Sequence, residues 1–319
     1  MGKHGPKRGS RAFWHRKRAS SIVCAPKFWD SKNPGLSAFV GFKVGMARAT
    51  MVDDSASPMA GQSVTIPVTI IEVPPIFIYS VTALKNTPVG LKNIVTIAAT
   101  GSPKLATRSI TPAKKPKHNL DEIESSLKDF AQLRIVALTN PSKTGTGNKS
   151  PLPIEIGLGG TIQEQFSFVK EYLGKEISVS KVLNPGDYID AIGVSIGHGW
   201  QGVVKRMGVA LNPHKATKAR RHGGSIGGET QAKVMFTVPR AGQHGFHRRT
   251  DLTKRILMVG EAKSATFIPK SGLKRYGKLS SDFVLLRGSV PGPVKRMITL
   301  RKSIRPKEIK APGQLVFEA

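Results

Sequence analysis

The sequence predicts a mainly β protein: a small closed β-barrel, interrupted by an inserted α+β unit and carrying two long basic extensions. Three observations lead there. Short β-branched and aromatic runs recur on both sides of the middle of the chain. Between them, from residue 80 to 176, helix-capping signals and helical spacing appear. Two stretches, 1–35 and 197–249, are strongly basic, and from Gly197 to Ala232 no sustained period of 2 or 3.6 appears.

Composition narrows the partner before any motif is read. A length of 319 residues suggests about two domains. A hydrophobic fraction of 39% supports a real core. Fifty Lys and Arg against 20 Asp and Glu give a net charge of +30, so the chain repels copies of itself and attracts polyanions. Nucleic acid is the expected partner. An anionic membrane is not, because the most apolar stretch, Val64–Leu84, contains Glu72, Pro67, Pro74 and Pro75. No apolar run follows the basic N-terminus, so no secretory signal is expected and a cytoplasmic location fits. The single cysteine, Cys24, forbids an intrachain disulfide or a multi-cysteine zinc site.

Residues 1–35 read as a basic extension that orders on RNA, with Phe13 and Trp14 as stacking faces. Residues 36–79 open the barrel, with strands expected at Leu36–Val44 and Val64–Tyr79 around a loop at Asp53–Pro58. The inserted unit occupies 80–176. Asn119 is placed to cap a helix carrying Leu120, Ile123, Leu127 and Phe130, with Asp121 and Glu122 in the first turn. Leu133–Leu138 reads as a strand. Thr161 and Glu164 form a capping box for a second helix that ends at Gly174. Residues 102–118 and 140–153 read as linking pieces. The barrel resumes over 177–196: β character at Ile177–Leu183, a turn at Asn184–Asp187, and a strand at Tyr188–Ile196. A basic loop fills 197–249 apart from a strand expected at Lys233–Val238. Strands at Ile256–Val259, Phe283–Leu286 and Met297–Leu300 complete the barrel within 250–310, and 311–319 is a tail.

The catalytic checklist finds no constellation. Five of the eight histidines lie between His198 and His247, and His244 and His247 have H-x-x-H spacing. Further acidic or cysteine ligands are lacking and the Arg and Lys around them oppose a cation, so no metal site is expected. Gly223–Gly228 lacks the P-loop lysine, since Glu229 and Thr230 follow. Imidazoles in such a setting donate to phosphate or stack on bases. Twelve Lys and Arg lie between Gly197 and Arg255. If half neutralise phosphates, the log–log salt slope on single-stranded RNA is roughly −4. The ten glycines between Gly197 and Gly245 allow close backbone approach to a polyanion. Trp200 and Phe246 are candidates to stack or to anchor the base of the loop in the barrel, and anchoring is favoured because each adjoins a strand. A duplex-DNA binder would present a basic helix, yet both expected helices are acidic and apolar-striped. An RNA-modifying enzyme would need a cofactor loop and catalytic residues.

Several motifs in order carry a family resemblance. Gly197-His198-Gly199-Trp200-Gln201-Gly202 is similar to G-x-G-F-Q-G, and Val238–Thr250 to V-x-x-x-G-Q-x-G-Y-H-x-R-T. Asp251–Ile256 is similar to E-x-N-K-x-I, Gly288–Arg296 to G-S-[VI]-P-G-P-x-[KR]-R, and Pro185-Gly186-Asp187 precedes its strand as in the family. The chain thus resembles, over nearly its whole length, the L-three family of large-subunit ribosomal proteins of archaeal or eukaryote-like type.

The resemblance implies a six-stranded barrel of the translation-protein type and a non-catalytic, structural role in large-subunit assembly. It also implies extensions that run through rRNA towards the peptidyl transferase centre. The implied partners are rRNA and neighbouring large-subunit proteins on cytoplasmic ribosomes, with no membrane, small-molecule substrate or cofactor; magnesium belongs to the rRNA. The expected rRNA contacts begin with Lys3, Lys7, Arg8, Arg11, Trp14, Arg16, Lys17 and Arg18. They continue with His198, Lys205, Arg206, Lys215, Lys218, Arg220, Arg221, His222 and Lys233. Arg240, Gln243, His244, His247, Arg248, Arg249, Lys254, Arg255, Lys295, Arg296 and Arg301 complete them. The extension tip is expected at Ser225, Ile226, Gly227, Gly228 and Glu229. The tip departs from archaeal and eukaryotic relatives, which carry Trp there; Gly224–Gly227 is instead similar to a bacterial G-S-I-G. Glu229 near phosphate requires either a Lys or Arg partner or a base amino group to accept from.

Overall fold

A computed structural model describes residues 10–29, 32–101, 103–112, 118–215, 219–265, 267–269, 271–305, 313 and 315–317. The chain is mainly β with few helices. It divides into two compact units: 1–20 with 194–248, and 21–193 with 249–319.

The larger unit begins with β1 (Gly35–Leu36), β2 (Ala38–Val52), β3 (Ser63–Glu72), β4 (Ile76–Thr87) and β5 (Gly90–Ala98). The short helix α1 (Leu120–Ser125), β6 (Gln132–Leu138), β7 (Pro153–Gly159), α2 (Ile162–Tyr172), β8 (Glu176–Ile177) and β9 (Tyr188–Val194) follow. The smaller unit contributes β10 (Gly197–Gln201), α3 (Val203–Met207) and β11 (Gly242–Gly245). The chain then returns through β12 (Arg248–Gly260), β13 (Phe283–Arg287), β14 (Met297–Lys302) and β15 (Val316–Phe317).

Strand pairing runs β14-β9-β12-β13-β3-β2 and returns, because β14 also pairs with β2. The result is a ring of sheet. Strands β9, β13 and β14 are buried on both faces, which is why Phe283–Leu286 reads as a continuous apolar run instead of alternating. Val284 and Leu286 face one core with Ile71 and Ile298, while Phe283 and Leu285 face another with Ile70 and Val68. Within the expected tail, Val316 and Phe317 acquire a role: β15 pairs with β2, and Phe317 stacks on Phe267 at 4.4 Å.

The second sheet, β1-β7-β6-β4-β5 with β8 on β4, is the α+β part. It shares the first core with the ring, through Ile135, Ile156, Phe166 and Val169 among others. Residues Phe28 and Trp29 are fixed to this unit. Arg301 Nη1 donates to the Phe28 carbonyl at 2.8 Å, and the Trp29 ring occupies the space that any Cβ on Gly157 would need. Glu72, fully buried, accepts from the N–H groups of Gly145, Ser280 and Ser281 and from the Tyr276 hydroxyl, which ties two loops to β3.

Several elements differ from the sequence expectation, each for a local reason. Val64–Tyr79 is two strands, because Pro74 and Pro75 cannot donate to a ladder. The first helix stops at Ser125, whose hydroxyl donates back to the Glu122 carbonyl at 3.1 Å; Leu127–Asp129 continues only as a 3₁₀ turn. Ile177–Leu183 is a two-residue strand and then a 3₁₀ turn at Val179–Lys181. Lys233–Val238 is not a strand, since no neighbour pairs with it and Val234, Met235 and Phe236 are exposed. Strands β5, β7, β10 and β11 lie where the sequence pattern predicts none. The capping box of α2 is as read: Thr161 Oγ1 accepts from Glu164 N at 3.4 Å, and Glu164 accepts from Thr161 N at 2.8 Å.

Candidate nucleic-acid interface

The smaller unit is where charge concentrates. It holds 16 Lys and Arg against the single acid Glu229, a net +15, which is half of the chain's +30 carried on 75 residues. No ion pair to Glu229 forms among the described residues. Self-repulsion on this scale must be offset by specific structure within the unit.

The structure lies in an antiparallel hairpin. Strand β10 pairs with β11 through Gly197↔Gly245, Trp200↔Gln243 and Gln201↔Gly242. Two glycines of the Gly242-Gln243-His244-Gly245 motif have identifiable reasons. Gly245 has φ +74, and a Cβ there would overlap the Ile196 carbonyl oxygen. Gly242 leaves room for the Arg206 guanidinium, whose Cζ lies 2.9 Å from where a Cβ would be. Arg206, on α3, uses that space to donate from Nε to the Gln243 carbonyl at 3.0 Å and from Nη1 to the Arg240 carbonyl at 2.8 Å. Arg206 is therefore a brace of the hairpin. Burial lowers its pKa below that of an ordinary guanidinium, and the nearby Arg16 lowers it further.

The hairpin displays a pair of imidazoles. His198 and His244 stack with centroids 5.2 Å apart and planes inclined 24°. Desolvation, then the neighbouring His198, His247 and Arg206, lower the pKa of His244 below 6.5. Trp200 does not anchor the loop as its position in the sequence predicts: it projects to solvent with 77% of its surface exposed. Strand β10 is exposed from Gly197 to Trp200 and its register shifts between those two residues, so the indole stands clear of the hairpin. Phe246 is half-buried, has φ +54, and donates its N–H to the Ile196 carbonyl at 3.1 Å.

The N-terminal segment packs on the same hairpin. Ala19 N donates to the Phe246 carbonyl at 2.8 Å, and His247 Nδ1 lies 2.9 Å from the Lys17 carbonyl oxygen. The His15 ring sits 4.7 Å from that of His247, and Arg16 Nη2 donates to the Phe236 carbonyl at 2.6 Å. Sequence reasoning misses this joint, and His15 with it; it also misses Ser195, whose Oγ accepts from His247 N at 3.1 Å. The two sides of the joint lie about two hundred positions apart, and no periodicity links them.

Besides Arg16, Arg206, Gln243 and His244, which are half-buried, the expected contact residues among the described ones fall into three groups. Lys17, Arg18, His198, Lys205, Lys215, Arg220, Arg221, His222, Lys233, Arg240 and Arg248 are exposed on the smaller unit, as is Trp14, with the tip Ser225–Glu229. Arg249 and Lys295 are exposed on the larger unit, where Lys254 pairs with Asp251 at 2.9 Å and Arg296 is half-buried. The third group serves the fold from inside. His247 is buried. Arg255 is buried against Asp54, with bonds of 2.8 and 2.5 Å, and Arg301 is buried against Asp190. Lys3, Lys7, Arg8 and Lys218 lie outside the described residues, as does the side chain of Arg11.

Comparison with known proteins agrees over the full chain. The family model described as ribosomal protein L3 matches residues 2–316. The large ribosomal subunit protein uL3 of Methanothermobacter thermautotrophicus is 40% identical over 320 residues, covering 97% of this chain and 95% of that protein. The proteins of the same name from Caldivirga maquilingensis and Methanococcus vannielii are each 39% identical, over 97% of this chain and 95% and 94% of their own lengths. Matched from end to end by the family model and by these relatives, the chain belongs to the ribosomal protein L3 family.

Proposed function

We propose that the chain is a structural constituent of the large ribosomal subunit that binds large-subunit rRNA chiefly through its smaller unit. The family is a structural, non-enzymatic component of the ribosome. The observation that carries the rRNA reading is the concentration of half the net charge on 75 residues held by a braced hairpin.

In this reading the ring of sheet is the six-stranded closed barrel of the translation-protein type, and 80–176 is the unit inserted into it. Residues 1–35 and 197–249 are its extensions into rRNA. Exposed cations on the smaller unit neutralise phosphate, Trp200 and the His198–His244 pair meet bases, and Ser225–Glu229 approaches the peptidyl transferase centre. The partners are rRNA and adjoining large-subunit proteins, the place is the cytoplasmic ribosome, and magnesium enters only as the counterion of rRNA.

Sedimentation through a magnesium-containing gradient gives the first test, with the chain expected to track the large subunit. Salt dependence gives the second. Replacing 211–233 by a short Gly-Ser linker keeps α3 and Arg206 and removes Lys215, Lys218, Arg220, Arg221 and Lys233. The log–log salt slope of rRNA binding should become shallower by up to about 3.5. An unchanged slope would remove the loop from the interface.

A further inference from the structure

We propose that the β4–β5 ribbon is a docking edge for an extended segment of a neighbouring large-subunit protein. That segment adds along β5 as one more strand and sets a carboxylate beside Lys92. The inference rests on the ribosomal reading above.

The geometry begins with where the sheet ends. Strand β6 accompanies β4 only as far as Leu84↔Gln132, whereas β4 and β5 continue through Lys85↔Lys92, Asn86↔Leu91 and Thr87↔Gly90. From Lys85 to Lys92 the structure is thus a two-stranded ribbon projecting past its sheet, an arrangement marginal in water without further cover. β5 is also the last strand of its sheet, and no other strand pairs with its outer edge among the described residues. A row of backbone N–H and C=O groups along such an edge is a template for another strand.

Side chains identify the kind of strand. Val89 is 99% exposed at the turn, and Leu91 and Ile94 are each about half exposed. Between Lys85 and Ala98 there are two lysines, no arginine and no acid. The RNA-facing charge of the chain is elsewhere, so a surface with more apolar than cationic contact suits protein. The two lysines sit directly opposite each other, a like-charge pair that disfavours the ribbon. Asp129 approaches Lys85 at 3.9 Å, and no ion pair to Lys92 forms among the described residues. A carboxylate on an incoming strand relieves that repulsion. A second copy of this chain does not: it would bring lysine to lysine, and each copy carries +30.

The test places a photo-cross-linking amino acid at Val89 in one variant and at Leu91 in another, in cells whose large subunits are then purified by sedimentation and irradiated. Both positions should yield one discrete adduct with the same protein, resistant to ribonuclease and sensitive to protease. The cross-link should map to an extended acid-bearing segment. Lys92→Glu should lower the yield at least tenfold while the chain still sediments with the subunit. A ribonuclease-sensitive adduct, an adduct between two copies, no adduct in subunits that contain the chain, or a yield indifferent to Lys92→Glu would each overturn the docking edge and leave the ribosomal reading intact. A chain that never enters the subunit overturns both.

Discussion

Substituting Gly245 by alanine should open the β10–β11 hairpin without unfolding the larger unit. The cost has two parts. Gly245 has φ +74, where an L-residue loses about 1–2 kcal/mol. The new Cβ would also overlap the Ile196 oxygen and come within 3.0 Å of its carbonyl carbon and 3.1 Å of Gly197 Cα. The strands must part, which sacrifices the 3.1 Å bond from Phe246 N to the Ile196 carbonyl, worth about 1 kcal/mol. The sum is about 2–3 kcal/mol, a 30- to 150-fold faster amide exchange in peptides covering the hairpin. Hydrogen exchange read by mass spectrometry measures this directly. Two neighbouring glycines calibrate it. Gly199 has φ +66 but nothing within 4 Å of the position a Cβ would take, so its alanine variant should show the strain alone, roughly 5- to 25-fold. Gly202, with φ −69 and open space, should change little. Because His198 and His244 lie on the two strands, rRNA affinity should fall in the same order. If the Gly245 and Gly202 variants exchange alike, the argument that backbone overlap dictates the motif is wrong.

Three further expectations concern the brace, the imidazole pair and the buried charges. Arg206→Ala should loosen Arg240–Gln243 by about 2 kcal/mol, seen as faster proteolysis at that segment, since it removes two charge-assisted bonds to carbonyls. In the free protein, His244 should titrate below 6.5 by NMR, and His198→Ala should move its midpoint upward. A depressed histidine contributes stability above pH 6.5 that declines as pH falls through that value, because the unfolded chain takes the proton first. Asp54, held below its ordinary 3.8 chiefly by the Arg255 hydrogen bonds, contributes stability that is complete above pH 3.8 and lost as pH falls further. Asp54→Asn should cost about 3 kcal/mol near neutrality, because Arg255 stays buried, and should flatten the acid limb of a urea-midpoint series.

Much of the larger unit is legible in the sequence because its signals are local. The Thr161–Glu164 box, the run Phe283–Leu286 and the strand after Asn184–Asp187 each depend on residues within one or two turns of one another. The failures are also local patterns, overruled by context. Lys233–Val238 alternates like a strand but pairs with no strand among the described residues, and Gly197–Gln201 lacks strand composition yet pairs because β11 faces it. Alternation states a preference for a sheet and supplies no partner.

For the site, the basic and glycine-rich composition of 197–249 is enough to raise the expectation of a polyanion-binding segment, since charge adds up regardless of folding. Composition does not assign work among the cations. Arg206, Arg255 and Arg301 look alike in the sequence to Arg220 and Arg221, yet the first braces a hairpin, the next two are buried against Asp54 and Asp190, and the last two are exposed. Glu72 is legible only as an acid that spoils a membrane span; in the fold it is a buried acceptor for donors from two distant loops. Composition and local pattern establish the class of protein, its sign of charge and the segments that carry it. Which charges are used inside the molecule is settled only on folding, because burial and hydrogen-bond partners arise between residues that are far apart along the chain.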